Sequence, residues 1–162
     1  MSMASLAFSQ DAPPPSYLEQ QAFPDSVMRM PLLRLNGKKA TFADLVAAHQ
    51  GRTVVLDFWA SWCKDCIVGL PALNDLMDKT KRQEVDYVFV SLDQQQQWKS
   101  AIKRFHIKGE HYRVTSGWNN PLANYIGLDW IPRYVVLDEH GRVALPKAIS
   151  AGDPKLKEWL LR

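Results

Sequence analysis

The sequence predicts an α/β protein, one mixed β-sheet with helices on both faces. Three observations carry that prediction. Apolar runs rich in β-branched and aromatic residues, at Val54–Trp59, Tyr87–Leu92 and Tyr134–Leu137, have the length and composition of buried strands. Segments with apolar residues at helical spacing separate and follow the first two, which implies a parallel pair joined by a right-handed crossover. A late strand–turn–strand unit adds antiparallel strands to the same sheet.

The elements follow in order. Residues 1–30 carry Pro13-Pro14-Pro15 and few periodic apolar positions, so they read as an extended, partly disordered lead-in, with the folded domain over 31–162. Leu32-Leu33-Arg34-Leu35 meets Asn36-Gly37, a hairpin turn, and Lys38 to Thr41 returns as a short strand. Thr41 and Asp44 have capping-box spacing ahead of a helix with Phe42, Leu45 and Val46 on its apolar side, closed at Gly51. After the Val54–Trp59 strand, a helix runs from near Cys63 to about Lys79 through Ile67, Leu70, Leu73, Leu76 and Met77. Pro71 removes the hydrogen bond to the Ile67 carbonyl, so a kink is expected there. Asp93 is expected to cap a helix through Trp98, Ile102 and Phe105, whose first turn is the exposed run Gln94–Gln97. Tyr112 to Thr115 is a short strand, Asn120-Pro121 opens a helix that Gly127 ends, and Ile131-Pro132-Arg133 leads into Tyr134–Leu137. Asp138-Glu139-His140-Gly141 turns the chain into Arg142–Leu145, and Asp153-Pro154 caps a last helix with Leu156, Trp159 and Leu160 inward.

Composition excludes several classes. The 162 residues suit one domain with a full core, at 46% hydrophobic and 23% charged. A net charge of +3 argues for no nucleic-acid partner, and no apolar stretch approaches the roughly 20 residues of a membrane helix, so stable membrane insertion is not expected. Ser5-Leu6-Ala7-Phe8-Ser9-Gln10 has the small residues of a signal cleavage region without the basic start and longer apolar run. The expectation is the remnant of an exported, periplasmic protein. Lys99, Lys103, Arg104, Lys108 and Arg113 read as a solvated basic face, or as a surface for an acidic partner.

The chemistry lies in the cysteines. Both fall in Trp62-Cys63-Lys64-Asp65-Cys66, directly after a strand and at the start of a helix. Two cysteines build no disulfide framework. A dithiol at a helix N-terminus points to redox chemistry, because the unpaired N–H groups and helix dipole there favour thiolate. The i, i+3 spacing brings two sulfurs close enough to bridge. Lys64 supports the thiolate and Asp65 opposes it. Asp57, on an otherwise apolar strand, is a candidate base whose burial would raise its pKa. Trp62 and Trp130 are candidates for an apolar rim facing a polypeptide, whereas Trp59 reads as core.

The run Val55-Leu56-Asp57-Phe58-Trp59-Ala60-Ser61-Trp62-Cys63-Lys64-Asp65-Cys66 resembles the thioredoxin-like superfamily over about residues 31–162. The hairpin and helix before the strand, and the segment inserted before Ile131-Pro132, look like its TlpA/ResA-like branch of thiol–disulfide oxidoreductases. The resemblance implies a thioredoxin-like fold with an added N-terminal hairpin. It also implies Cys63 as the attacking cysteine, Cys66 as the resolving one, Asp57 as the buried acid, and Ile131-Pro132 as a residue–cis-proline pair beside the disulfide. A cis bond there would turn the Ile131 backbone towards the sulfurs, free to pair with a substrate chain.

The expected function is exchange of the Cys63–Cys66 pair with protein substrates, as a reductase and without cofactor. The expected partners are disulfide-containing or dithiol proteins and an upstream redox partner, met by a monomer. Three departures limit what carries over. Lys64-Asp65 replaces the common Gly-Pro or Glu-Pro, Gly69 stands where many TlpA-like proteins carry an acid, and many of them carry a neutral residue at the position of Asp57. Copper delivery, or a non-redox polypeptide-binding module, are the alternative readings. A closed metal site finds only two ligands in the motif, and His49, His106, His111 and His140 show no ligand spacing.

Overall fold

A computed structural model describes residues 22–162 of the chain. The expectations of a signal remnant and of an extended Pro13-Pro14-Pro15 segment lie outside these residues.

A seven-stranded mixed sheet forms the centre, with helices on both faces. Its strands are β1 (Pro31–Arg34), β2 (Lys39–Thr41), β3 (Thr53–Trp59), β4 (Val85–Ser91), β5 (Glu110–Val114), β6 (Arg133–Leu137) and β7 (Val143–Ala148), in the spatial order β2-β1-β5-β4-β3-β6-β7. The β3, β4 and β5 strands are parallel, as their helical crossovers require, and the other pairs are antiparallel. β3 lies between β4, its parallel partner, and β6, its antiparallel one, with six of its seven residues buried. A strand covered on both faces reads as a continuous apolar run, and Val54-Val55-Leu56 does.

Local chemistry sets most element ends. Gly37 takes φ +82° in the β1–β2 turn, and Asn36 Oδ1 accepts from Lys38 N–H at 3.0 Å. Thr41 caps α2 (Phe42–Ala48): its Oγ1 accepts from Asp44 N–H at 3.2 Å, and its own N–H donates to Asp44 Oδ2 at 2.7 Å. Asn120 caps α6 (Pro121–Tyr125) and Asp153 caps α7 (Pro154–Leu160), each with proline in the first turn. Pro146 falls within β7, which is an edge strand with an irregular register against β6, so its missing N–H breaks no interior ladder.

Four expectations change. Residues 23–30 are not an extended lead-in. Asp25–Met28 forms the short helix α1, and Phe23, Val27 and Met30 are buried. Phe23 packs edge-on against Phe42 and tilted against Tyr125, so burial of this aromatic fixes the segment on α2 and α6. The helix after Cys63 divides into α3 (Lys64–Val68) and α4 (Leu70–Lys79). Gly69 lies between them and keeps right-handed angles, so Pro71 bends the segment without ending it. Asp93 does not cap α5 (Gln95–Phe105); Gln94 holds that position, and Asp93 is buried elsewhere. Arg113 leaves the basic face: it is buried, and its Nη1 donates to the Asp93 carbonyl at 3.2 Å.

Candidate redox site

β3 delivers the chain to the site, and α3 starts there and holds the sulfurs in its first turn. Cys63 is the N-cap of α3, with extended backbone angles, and Cys66 lies one turn in. The two are joined in a disulfide with Cα atoms 5.3 Å apart. Cys66 N–H donates to Cys63 Sγ at 3.1 Å. The first-turn amide that a serine or aspartate cap would engage is therefore aimed at sulfur, which favours negative charge there once the bond is reduced. Both cysteines are only 6% exposed, whereas Lys64 and Asp65 between them are in solvent. Opposite charges so placed are screened and largely offset one another.

The Ile131–Pro132 bond is cis, and both residues are buried. Cys63 Sγ lies 3.6 Å from the Ile131 carbonyl oxygen. The loop before β6 thus meets the Cys63 sulfur. Trp62 is 61% exposed. Trp130 is also exposed, while Trp59 is buried and meets Phe89 edge-on.

Asp57 is on β3, paired across the ladder with Tyr134 of β6 and Phe89 of β4. It is 4% exposed, its Oδ1 has no hydrogen-bond partner, and burial pushes its pKa up to about 8. A carboxyl in this range takes up a proton near neutral pH. Asp57 also lifts the Tyr134 hydroxyl beyond the effect of burial alone, since a second negative charge beside it is disfavoured.

Several residues that shape the site carry no local signal. Ser61, two positions before Cys63, gives its N–H to Asp93 Oδ2 at 2.8 Å and its Oγ–H to Oδ1 at 2.6 Å. Ser91 Oγ also donates to Asp93 at 2.9 Å. Arg133, directly after the cis-proline, is 1% exposed. It donates to Asp129 Oδ1 at 2.5 Å and to the Ile126 carbonyl at 3.4 Å, which ties down the loop that carries Trp130. Trp118, in the segment between β5 and α6, joins Trp62, Trp130, Ile131 and Cys63 around a cleft of about 360 Å³. Only a strand-end acid, an arginine after proline and a tryptophan in an irregular segment announce these groups, and none of those patterns is specific.

A larger cleft of about 540 Å³ lies at the N-terminal ends of β4 and β5, remote from the sulfurs, with His49, Asp86 and Glu110 in its lining. His49 Nδ1 is 2.7 Å from Asp86 Oδ2 and its Nε2 2.7 Å from Glu110 Oε2, which places the imidazole between two carboxylates. Among the described residues, no group of three or more His, Cys, Asp or Glu side chains is placed to hold a metal ion. No helix among them is long and apolar enough to cross a membrane.

Known proteins match this arrangement. A family model described as thioredoxin-like matches residues 51–143, more than half of the chain. The thiol-disulfide oxidoreductase ResA of Bacillus thuringiensis is 29% identical over 110 residues, covering 67% of this chain and 60% of the relative. The chain thus spans less than two thirds of the length of the first curated relatives it matches. The sporulation thiol-disulfide oxidoreductase A of Bacillus subtilis is 26% identical over 118 residues, 72% of this chain and 71% of the relative. A solved thiol-disulfide oxidoreductase from Bacteroides fragilis superposes with a TM-score of 0.65 at 25% identity, covering 84% of this chain and all of that one.

Proposed function

The chain belongs to the thioredoxin-like family, and from that premise we propose that it is a thiol–disulfide oxidoreductase reducing disulfides in polypeptide substrates. The observation that supports this most directly is the Cys63–Cys66 disulfide at the start of α3, with the Cys66 amide aimed at Cys63 Sγ.

In the reduced protein Cys63 is the nucleophile. Its thiolate attacks one sulfur of a substrate disulfide, and the other substrate sulfur leaves as thiolate, giving a mixed disulfide. Cys66 then loses its proton and attacks Cys63 Sγ. The bond to the substrate breaks, the second substrate sulfur leaves, and the internal disulfide forms. Two electrons pass from protein to substrate, and a dithiol redox partner returns them. Asp57 is the base for the second step, taking the Cys66 proton through a water molecule, since no hydrogen bond joins it directly to either sulfur. Ile131, beside Cys63 and before the cis-proline, offers backbone groups to an extended substrate segment.

The protein works in an exported, periplasmic compartment, where disulfide-bearing substrates persist. With dithiothreitol as donor, the wild type reduces insulin and Cys63→Ser does not; activity retained in Cys63→Ser rejects Cys63 as nucleophile. Cys66→Ser accumulates a mixed disulfide, and failure to recover that adduct rejects the resolving role. A midpoint potential near about −270 mV supports the reductase direction, and one near about −120 mV overturns it.

A further inference from the structure

The cleft beside the disulfide is walled by three indoles from three separate places in the chain. Trp62 precedes Cys63, Trp118 belongs to the segment between β5 and α6, and Trp130 precedes Ile131. All three are substantially exposed, at 61%, 39% and 42%, although each could bury a large apolar area. Large apolar side chains grouped in solvent mark a surface that another molecule covers.

We propose that this cleft is a side-chain pocket for an aromatic or large aliphatic residue flanking the reacting cysteine of a polypeptide substrate, with Trp118 as its specificity-determining wall. The inference rests on the oxidoreductase reading and adds the substrate class. Cys63 itself lines the cleft, so whatever places a sulfur against Cys63 also lays its neighbouring residue between the indoles. The volume of about 360 Å³ accommodates one large side chain with its backbone, rather than a folded domain edge.

The charges present select against an ionic occupant. The Asp129 carboxylate, also in the lining, is taken by Arg133 at 2.5 Å and offers no free charge. Lys64 and Asp65 contribute one charge of each sign, so neither an acidic nor a basic residue gains a net partner. Desolvating a substrate carboxylate or ammonium between indoles would go uncompensated. The Arg133–Asp129 pair also fixes the loop before Ile131, which makes the Trp130 wall preformed and lowers the ordering cost of binding.

The test uses disulfide-linked peptide dimers that differ only in the residue beside cysteine, as Phe, Leu, Ser, Glu or Lys. The full chain reduces them with dithiothreitol as donor, and 5,5′-dithiobis(2-nitrobenzoate), offered to the pre-reduced chain after the dithiothreitol has been removed, serves as a disulfide without a peptide. The expected result is a kcat/KM at least roughly tenfold higher for the Phe and Leu peptides than for Ser, carried mostly in KM. Trp118→Ala brings that ratio towards one, and Trp118→Phe restores most of it. Equal kcat/KM across the series while the nitrobenzoate disulfide is reduced overturns the pocket and leaves the oxidoreductase reading standing. A preference for Glu or Lys, or a ratio unchanged in a folded Trp118→Ala, overturns it as well. If no disulfide of any kind is reduced, the oxidoreductase reading falls and the pocket falls with it.

Discussion

The Asp93 carboxylate, at the end of β4, holds Ser61 by both its N–H and its hydroxyl, two residues before Cys63. The loop that presents Cys63 is thereby tied to the segment that follows β4. Asp93 is 3% exposed and also accepts from Ser91 Oγ, so its removal leaves several buried donors unpaired.

Asp93→Ala is therefore expected to cost about 2–4 kcal/mol in urea unfolding. Ser61→Ala, which keeps the backbone N–H bond, should cost no more than about 1–2 kcal/mol. Equal effects of the two variants would mean that the carboxylate is not what holds the loop.

Asp57 predicts a pH dependence with a defined sign. Its folded pKa of about 8 lies above its ordinary value of 3.8. Below about pH 4 both folded and unfolded forms are protonated and the group has no effect. As pH rises to about 8 the unfolded form ionises while the folded form resists, so stability is lost, by something on the order of 5 kcal/mol, and levels off above. Asp57→Asn should flatten this slope and raise stability at about pH 9 by a few kcal/mol, with little change at about pH 3. It should also slow resolution of the mixed disulfide by about 100-fold, read by quenched-flow trapping. A wild-type stability that rises from about pH 5 to 8 through this group would contradict the assignment.

Arg133 and Asp129 are expected to be coupled. Asp129→Ala leaves a buried guanidinium without its carboxylate and should cost about 3 kcal/mol. Adding Arg133→Met removes the orphaned charge, so the double variant should be less destabilised than the two single costs added together. Strict additivity in denaturant titrations would show that the pair does not act as a unit.

Gly109 marks a close approach beside β5. Its φ is +125°, and a Cβ there would lie 2.7 Å from the Phe89 ring and 3.0 Å from the Tyr87 carbonyl oxygen. Gly109→Ala should destabilise by about 2–4 kcal/mol through both backbone strain and overlap, read as a lowered Tm. A neutral effect would mean that the β4–β5 junction yields more easily than its packing suggests.

What was legible in the sequence was what short-range chemistry decides. Asn36-Gly37 gives its turn, Thr41 and Asp44 give their reciprocal cap, and Asn120-Pro121 gives its helix start, because each depends on residues within four positions. The Trp62–Cys66 motif placed the sulfurs correctly for the same reason. The misreadings arose where a partner distant in sequence outbid the local one. Asp93 has the spacing of a cap, but Ser61 takes its carboxylate from 32 residues away. Arg113 has the company of surface lysines, but its strand position turns it inward onto the Asp93 carbonyl. Phe23 and Val27 lie in a stretch too short and too proline-flanked to show periodicity, and tertiary burial alone orders them. Trp118 reaches the cleft only because the fold brings its segment beside Trp62 and Trp130.

The proposed exchange depends on the Cys63 sulfur carrying charge more readily than an ordinary thiol. The most direct test is the pH dependence of Cys63 alkylation by iodoacetamide in the reduced protein, with Cys66→Ser as the single-thiol control. The rate should reach half its maximum clearly below the ordinary thiol value of about 8.5, because a helix-start amide is aimed at that sulfur. A midpoint at or above that value, with the slow reaction of a free cysteine, would contradict it.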